Sequence, residues 1–133
     1  MVRGRQAQCM MRYVLDAGAL IAVERADRRV VRRLARAKVK NIPIVTSSAA
    51  VAQVLRDPAR QVPLARVLQG VAEAPLDWEA ARAIGPLLAR AGTADVVDAH
   101  VALLAHAGDE ILTSDPADLE RLTAGRPVRI RPV

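Results

Sequence analysis

Three aspartates stand beside apolar segments in positions that could bring their carboxylates together. Asp16 directly follows the apolar run at 13–15, and Asp115 comes two residues after the predicted strand at 110–113, which has Ile111 and Leu112 at its centre. Asp98 lies in the first turn of a very apolar helix that leads into that predicted strand. Ligands of parallel α/β sheets bind outside the carboxyl ends of the strands, so all three carboxylates can converge on one rim. Carboxylates held at close range repel one another and raise one another's pKa unless a cation lies among them.

The residue types narrow the choice of cation. Oxygen-only ligands, without accompanying Cys residues or a His pair, favour Mg²⁺ or Mn²⁺ over zinc. Each aspartate also has a simpler interpretation. Asp16 could cap the helix that follows it, Asp98 could favour a helix N-terminus, and Asp115 before Pro116 is a common turn or N-cap arrangement. A shared metal site accounts for the strand-end placement of the set as a whole.

The spacing of apolar residues predicts the elements that would position these side chains. Strands are predicted at 13–15, 42–45, 74–76, 110–113 and 128–130. Helical periodicity is found between them, including a strongly basic helix at 27–40 and a helical stretch at 59–72. This alternation predicts an α/β fold, with one parallel sheet of four to five strands, right-handed crossovers and helices on both faces.

The 133 residues suit one domain, and the expected organisation is a flexible N-terminal extension at 1–11 followed by a domain at 12–133. No apolar stretch approaches the roughly 18 residues of a membrane span. The single Cys9 cannot form an internal disulfide, and the chain opens with no signal-peptide pattern, so a cytoplasmic location is expected. The formal net charge of +6, carried mainly by Arg, favours an anionic partner, although GC-rich coding would inflate Arg in the same way.

Three blocks of the sequence carry a resemblance to a known family. Residues 15–21 (LDAGALI), 97–102 (VDAHVA) and 112–119 (LTSDPADL) resemble the three most recognisable blocks of PIN domains, in the same order. The match covers residues 12 to about 131, and the VapC-type toxins are the closest in size. The resemblance implies an endoribonuclease that uses Mg²⁺ or Mn²⁺, forms a homodimer and is held inactive by a small antitoxin.

The resemblance also implies roles for individual residues. The implied metal ligands, the first three of them catalytic, are Asp16, Asp98, Asp115 and Asp118. Asp95 is implied as a flanking or water-mediated acid, and Ser114 as a hydrogen-bond donor to a ligand carboxylate or to the phosphate. The metal would polarise the scissile phosphate and lower the pKa of an attacking water.

One position departs from the family pattern. The family has a Glu in the helix after the second strand, where this chain has Gln53. An amide can accept from a metal-bound water through its carbonyl oxygen, but it adds no charge and cannot act as a base. Asp57 is one turn further on the same face, but its place before Pro58 is more typical of a helix stop.

Two functional hypotheses follow from these residues. The first is an active ribonuclease toxin in which arginines gather RNA phosphates beside the acidic centre. These arginines are either the face from Arg28 to Arg36, which includes Arg32, or the set Arg56, Arg60 and Arg66. The second is a degenerate PIN domain that binds RNA or a protein partner without cutting. A response-regulator-like role on a similar sheet would need a Lys late in the chain, and the last lysine is Lys40.

Overall fold

The structure, a computed structural model, describes residues 11–133. The predicted flexible extension at 1–11 lies outside the described residues except for Met11. The five strands are β1 (Tyr13–Leu15), β2 (Ile44–Ser47), β3 (Ala72–Ala74), β4 (Glu110–Thr113) and β5 (Arg129–Pro132). The seven helices are α1 (Ala17–Glu24), α2 (Arg28–Val39), α3 (Ser48–Val54), α4 (Val62–Leu68), α5 (Trp78–Ala91), α6 (Val96–Leu104) and α7 (Pro116–Leu122). Within residues 11–133, no helix combines the length and apolar character needed to cross a bilayer.

The strands form one parallel sheet in the order β3-β2-β1-β4-β5. The predicted α/β fold with four to five parallel strands is therefore confirmed. The strand order reverses direction around β1, which pairs with β2 on one side and with β4 on the other. The carboxyl ends of β1 and β4 flank this switch point, where open α/β sheets bind their ligands.

Helices cover both faces of the sheet, and each face has its own apolar core. Val14 and Ile111 point to the face covered by α5, α6 and α7, whereas Leu15 and Leu112 point to the face covered by α1 to α4. Successive strand residues point to opposite faces, so one short strand contributes to both cores. All four of these side chains are fully buried, which gives the carboxyl ends of β1 and β4 a rigid support.

Two strands begin two residues away from their predicted positions, and prolines explain both differences. β2 occupies 44–47 rather than 42–45, because Pro43 contributes only its carbonyl, which accepts from the Tyr13 N–H at 3.0 Å. β3 occupies 72–74 rather than 74–76, because Pro75 has no N–H for a ladder and Leu76 donates its N–H to the Ser48 side chain at 3.2 Å. Since β3 begins at Ala72, the helix predicted at 59–72 is confined to 62–68.

Candidate metal centre

Three carboxylates lie at the carboxyl edge of the central strands. Asp98, Asp115 and Asp118 each offer an oxygen, and these three oxygens all lie within 4.8 Å of one another. Asp98 is in the first turn of α6, Asp115 follows β4, and Asp118 is in the first turn of α7. We call these three residues the acidic group. The Asp118 carboxylate also contacts the guanidinium of Arg121, so part of its charge is neutralised.

Asp115 caps a helix and also belongs to the acidic group, so these two interpretations of the residue are compatible. The Asp115 side chain accepts from the Asp118 N–H at 3.4 Å and so caps α7, which has Pro116 in its first turn. The Asp95 side chain accepts from the Asp98 N–H at 2.9 Å and caps α6. These bonds orient the first turns of both helices, and they occupy one oxygen of each capping carboxylate. The second oxygen of Asp115 remains available for a ligand.

Asp16 lies behind the acidic group, at the end of β1. Its side chain is 1% exposed and accepts from the Ala19 N–H at 2.8 Å, which caps α1. Burial raises the pKa of Asp16, and hydrogen bonds from the Thr113 side chain and from backbone N–H groups oppose that rise. Asp16 is not one of the carboxylates within 4.8 Å of one another, yet it is near enough for its charge to act on Asp98.

The electrostatics of the site are those of crowded carboxylates. Asp98 is 8% exposed, and burial, together with the surrounding negative charge, raises its pKa to about 7. After burial, the contributing charges in decreasing order are those of Asp95, Asp16, Asp115 and Asp118. A carboxyl that holds its proton to neutral pH in such a setting would lose that proton to solvent when a divalent cation binds.

A close approach joins the first turn of α1 to Ser114 in the β4–α7 loop. A Cβ atom at Gly18 would lie 1.9 Å from the Ser114 hydroxyl oxygen and 2.5 Å from the Ser114 Cβ. Only glycine therefore allows this helical turn and the loop to lie at their present separation. Ser114 is exposed at this contact, and its predicted hydrogen bond to a ligand carboxylate or phosphate stays a prediction.

Gln53 is exposed on α3, the helix that starts at the carboxyl end of β2. The buried side of that helix is formed instead by Ala50, Val51 and Val54. The supporting role predicted for Gln53 stays a prediction. Asp57 lies beyond the end of α3, where it accepts from the Ala59 N–H at 3.1 Å, and this agrees with its interpretation as a helix stop.

A buried pair near the acidic group was not predicted. The Ser47 hydroxyl lies 2.6 Å from Nδ1 of His100, and both residues are buried. Ser47 also accepts from the Ala49 N–H at 3.0 Å and caps α3. Burial lowers the pKa of His100, so its ring is neutral and ties α6 to the end of β2. The polar run at 46–48 indicates a helix cap in the sequence, but nothing in the sequence indicates that His100 is the partner of Ser47.

The four predicted RNA-binding arginines do not join the acidic group. Arg28 and Arg32 are exposed on α2, a helix whose Arg33 reaches Glu110 at the amino end of β4. α2 therefore reaches the amino ends of the strands, whereas the carboxylates lie at the carboxyl ends. The two others lie past α3: the Arg56 guanidinium donates to backbone carbonyls of that helix end, and Arg60 pairs with Asp57 at 3.7 Å. Their contacts with RNA stay a prediction.

The sequence matches no family model and no curated protein. Solved structures, in contrast, share its architecture. One is VapBC2 from Rickettsia felis bound to a DNA fragment from their promoter, with a TM-score of 0.65, 15% identity, and coverage of 92% of this chain and 99% of the other. Another is DNA-bound VapBC from Salmonella typhimurium, with a TM-score of 0.62, 19% identity, and coverage of 92% and 98%. At such low identity the likeness establishes the fold alone: the chain shares the fold of chains in these two VapBC structures, over nearly their whole length.

Proposed function

We propose that this chain is a metal-dependent endoribonuclease of the VapC toxin type, which uses Mg²⁺ or Mn²⁺ at the acidic group. The observation that carries the proposal is the approach of three carboxylate oxygens to within 4.8 Å at the switch point of a PIN-like sheet. Asp16 supports them from the end of β1. Phosphodiester hydrolysis on a metal held by carboxylates is the chemistry that this arrangement suits.

The donor set fits a hard divalent cation. Asp98, Asp115 and Asp118 supply only oxygen ligands. Mg²⁺ and Mn²⁺ bind through oxygen, and Mg²⁺ commonly keeps several waters beside a few protein carboxylates. When bound, the cation would lower the pKa of an attacking water and neutralise charge on the scissile phosphate. Asp98 would lose its proton to solvent when the cation binds, and the first turns of the capped helices hold the other two carboxylates in place.

The same edge of the sheet carries an exposed aromatic platform suited to RNA. The Ser48 hydroxyl accepts from the Leu76 N–H at 3.2 Å, which brings the start of α5 to the carboxyl end of β2. Trp78 begins that helix and is 77% exposed, and the Arg82 guanidinium lies 5.2 Å from its ring centroid. An exposed indole backed by a cation is a typical stacking surface for unpaired bases. This feature favours single-stranded RNA as the substrate.

We also propose a small antitoxin as partner, a homodimeric state and a cytoplasmic location. The two similar solved structures are of VapBC, which supports the proposal of an antitoxin partner. An apolar groove of about 610 Å³ between α2 and α4, with Leu34, Ile42 and Val67 among its lining residues, offers surface for a protein partner. Val31, which also lines this groove, is 40% exposed, and a docked apolar helix would cover it.

The second candidate function is a degenerate PIN domain that binds RNA or a protein partner without cutting RNA. The observation that favours it is Gln53, a neutral amide where the family pattern has a Glu. Metal affinity and catalysis separate the two candidates, because a binder retains RNA affinity without either of them.

The test combines Mn²⁺ calorimetry with cleavage of a mixed RNA pool. Asp98→Asn removes a carboxylate of the acidic group, and Asp57→Asn is the control because Asp57 is exposed in a turn outside that group. The proposal expects Mn²⁺ binding and cleavage in the wild type and in the control, and neither in Asp98→Asn. RNA binding without cleavage selects the degenerate domain, and absence of Mn²⁺ binding in the wild type rejects the enzyme.

A further inference from the structure

A second cavity, which is polar and lined mainly by cations, lies on the α2 side of the sheet. Its volume is about 490 Å³, and we call it the basic pocket. Six cationic side chains line it: Arg29, Arg32, Arg33, Arg36, Lys40 and Arg131. Five of them come from α2 and its C-cap, and the sixth comes from β5.

The basic pocket is separate from the acidic group. Tyr13, the first residue of β1, belongs to its wall, whereas Asp16 follows the last residue of that strand. Three residues of extended chain span roughly 10 Å, so the two sites lie at opposite ends of the strands. A ligand held by these cations therefore does not depend on a metal at the acidic group.

Glu110 fixes two of the six cations. One of its carboxylate oxygens accepts from Arg33 at 3.4 Å and also from the Arg131 guanidinium, while the Glu110 side chain is 5% exposed. Each of these two arginines uses one N–H in that contact and has further donors for another acceptor. The carboxylate thus holds the inner wall of the basic pocket in place.

The remaining four cations of the basic pocket have no acidic partner. None of Arg29, Arg32, Arg36 and Lys40 forms an ion pair within residues 11–133. The first ten residues contain no Asp or Glu, so they cannot supply one either. Like charges that surround one cavity repel, and an anion placed among them relieves that repulsion.

We propose that the basic pocket binds a phosphate-bearing anion of three to four negative charges. That charge matches the four unpaired cations, and guanidinium groups form forked hydrogen bonds with phosphate oxygens. The volume of about 490 Å³ lies in the usual range of small-molecule sites. Either the phosphate chain of a free nucleotide or successive phosphates of a nucleic acid offers this chemistry, and the choice between these two sources is made by experiment.

The test is calorimetry of the full chain in EDTA, which removes any contribution from a metal at the acidic group. The probes are inorganic triphosphate, ATP, a hexauridylate with a 5′-hydroxyl, and a hexaglutamate peptide. Arg32→Glu combined with Arg36→Glu reverses two exposed cations of the basic pocket. The matched control, Arg25→Glu with Arg90→Glu, makes the same change of net charge at exposed positions that do not line it.

The wild type is expected to bind triphosphate, and the double reversal in the basic pocket to weaken it by roughly 100-fold, since each charge-assisted hydrogen bond contributes at least tenfold. The control should change affinity by less than about threefold, because distant exposed charges are screened by salt. Arg29→Gln, which loses one cation without reversing charge, should weaken binding by roughly tenfold. Melting temperatures of all variants verify that they are folded.

The outcomes distinguish the two sources of phosphate, a free nucleotide and a nucleic acid backbone, and they can also overturn the proposal. Tighter binding of triphosphate and ATP than of hexauridylate assigns the basic pocket to a free nucleotide, and the reverse order assigns it to a nucleic acid backbone. No binding of any phosphate probe, equal loss in the control variant, or tighter binding of hexaglutamate each overturns the proposal. The last result would indicate an acidic protein partner. Because no cleavage is measured, these results are independent of the proposed ribonuclease activity.

Discussion

Replacing Asp98 by Asn should make the metal-free protein more stable at alkaline pH and leave it unable to respond to metal. The pKa of Asp98 is raised to about 7 in the folded state, against 3.8 for an ordinary Asp. A carboxyl with a raised folded-state pKa binds its proton more tightly when folded. Its ionisation therefore costs folding free energy progressively as the pH rises from about 4 through 7.

The magnitude follows from the size of that shift. A difference of roughly three pKa units corresponds to at most about 4 kcal/mol. Asp98 is 8% exposed, but its acidic neighbour Asp115 is exposed to solvent, which screens part of the repulsion. We therefore expect Asp98→Asn to gain about 2 kcal/mol over the wild type at pH 8 in EDTA, and almost nothing at pH 4. For a domain of this size such a gain raises the melting temperature by roughly 6–10 °C.

The assay is thermal and urea unfolding of the wild type, Asp98→Asn and the control Asp57→Asn, at both pH values, in EDTA and in Mn²⁺. Mn²⁺ should stabilise the wild type and the control at pH 8 and have little effect on Asp98→Asn. Comparing variants at the same pH cancels the titration of the groups that do not interact with Asp98. If Asp98→Asn is no more stable than the wild type at pH 8 in EDTA, Asp98 is not under carboxylate repulsion, and the electrostatic argument for a metal fails.

Three further predictions concern the surroundings of the acidic group. Gln53→Glu should tighten Mn²⁺ binding about tenfold and lower metal-free stability, because it adds negative charge near a cation site; if calorimetry and melting are both unchanged, Gln53 lies away from the metal. Gly18→Ala should destabilise the fold by about 1–3 kcal/mol and weaken Mn²⁺ binding, because its methyl group would displace Ser114. The matched control Gly85→Ala, in the middle of α5 with open space around it, should instead be neutral or stabilising in urea unfolding; equal losses in both would disprove the close-contact argument. Trp78→Ala should weaken binding of single-stranded RNA about tenfold in fluorescence anisotropy without changing the melting temperature, since the indole is 77% exposed; unchanged affinity would remove Trp78 from the RNA surface.

The central strands and the helix starts beside the acidic group could be predicted from the sequence because their determinants are local. Residues 13–15 and 110–113 are predicted as strands and are strands, and each contains consecutive apolar residues and is followed within two residues by an aspartate. The sequence allows Asp16 and Asp115 to be helix caps, and both of them cap a helix. A cap acts on an N–H only two or three residues away, so the sequence pattern contains both partners.

The edges of the sheet were predicted less well, since a strand's limits depend on its neighbour. Residues 72–74 form β3 because they pair with β2, and nothing in their own short and partly exposed sequence requires a strand. Pro43 and Pro75 then set where pairing can begin and end. Pairing partners that far apart in sequence leave no local periodicity to recognise.

The tertiary structure alone decided where the charges of the chain meet. Asp109 is buried and paired with Arg12, which is 97 residues away, and Glu110 is buried with Arg33, 77 residues away. The sequence suggests that the basic helix α2 binds RNA beside the carboxylates. In the structure, α2 packs at the amino ends of the strands and forms the basic pocket there. Composition and periodicity report which face of a helix is charged, but the direction in which that face points is set by the crossover connections and by the packing of α2 on the sheet. Long-range charge partners depend on that packing, because electrostatic contacts form wherever the folded backbone brings side chains together, at any separation along the chain.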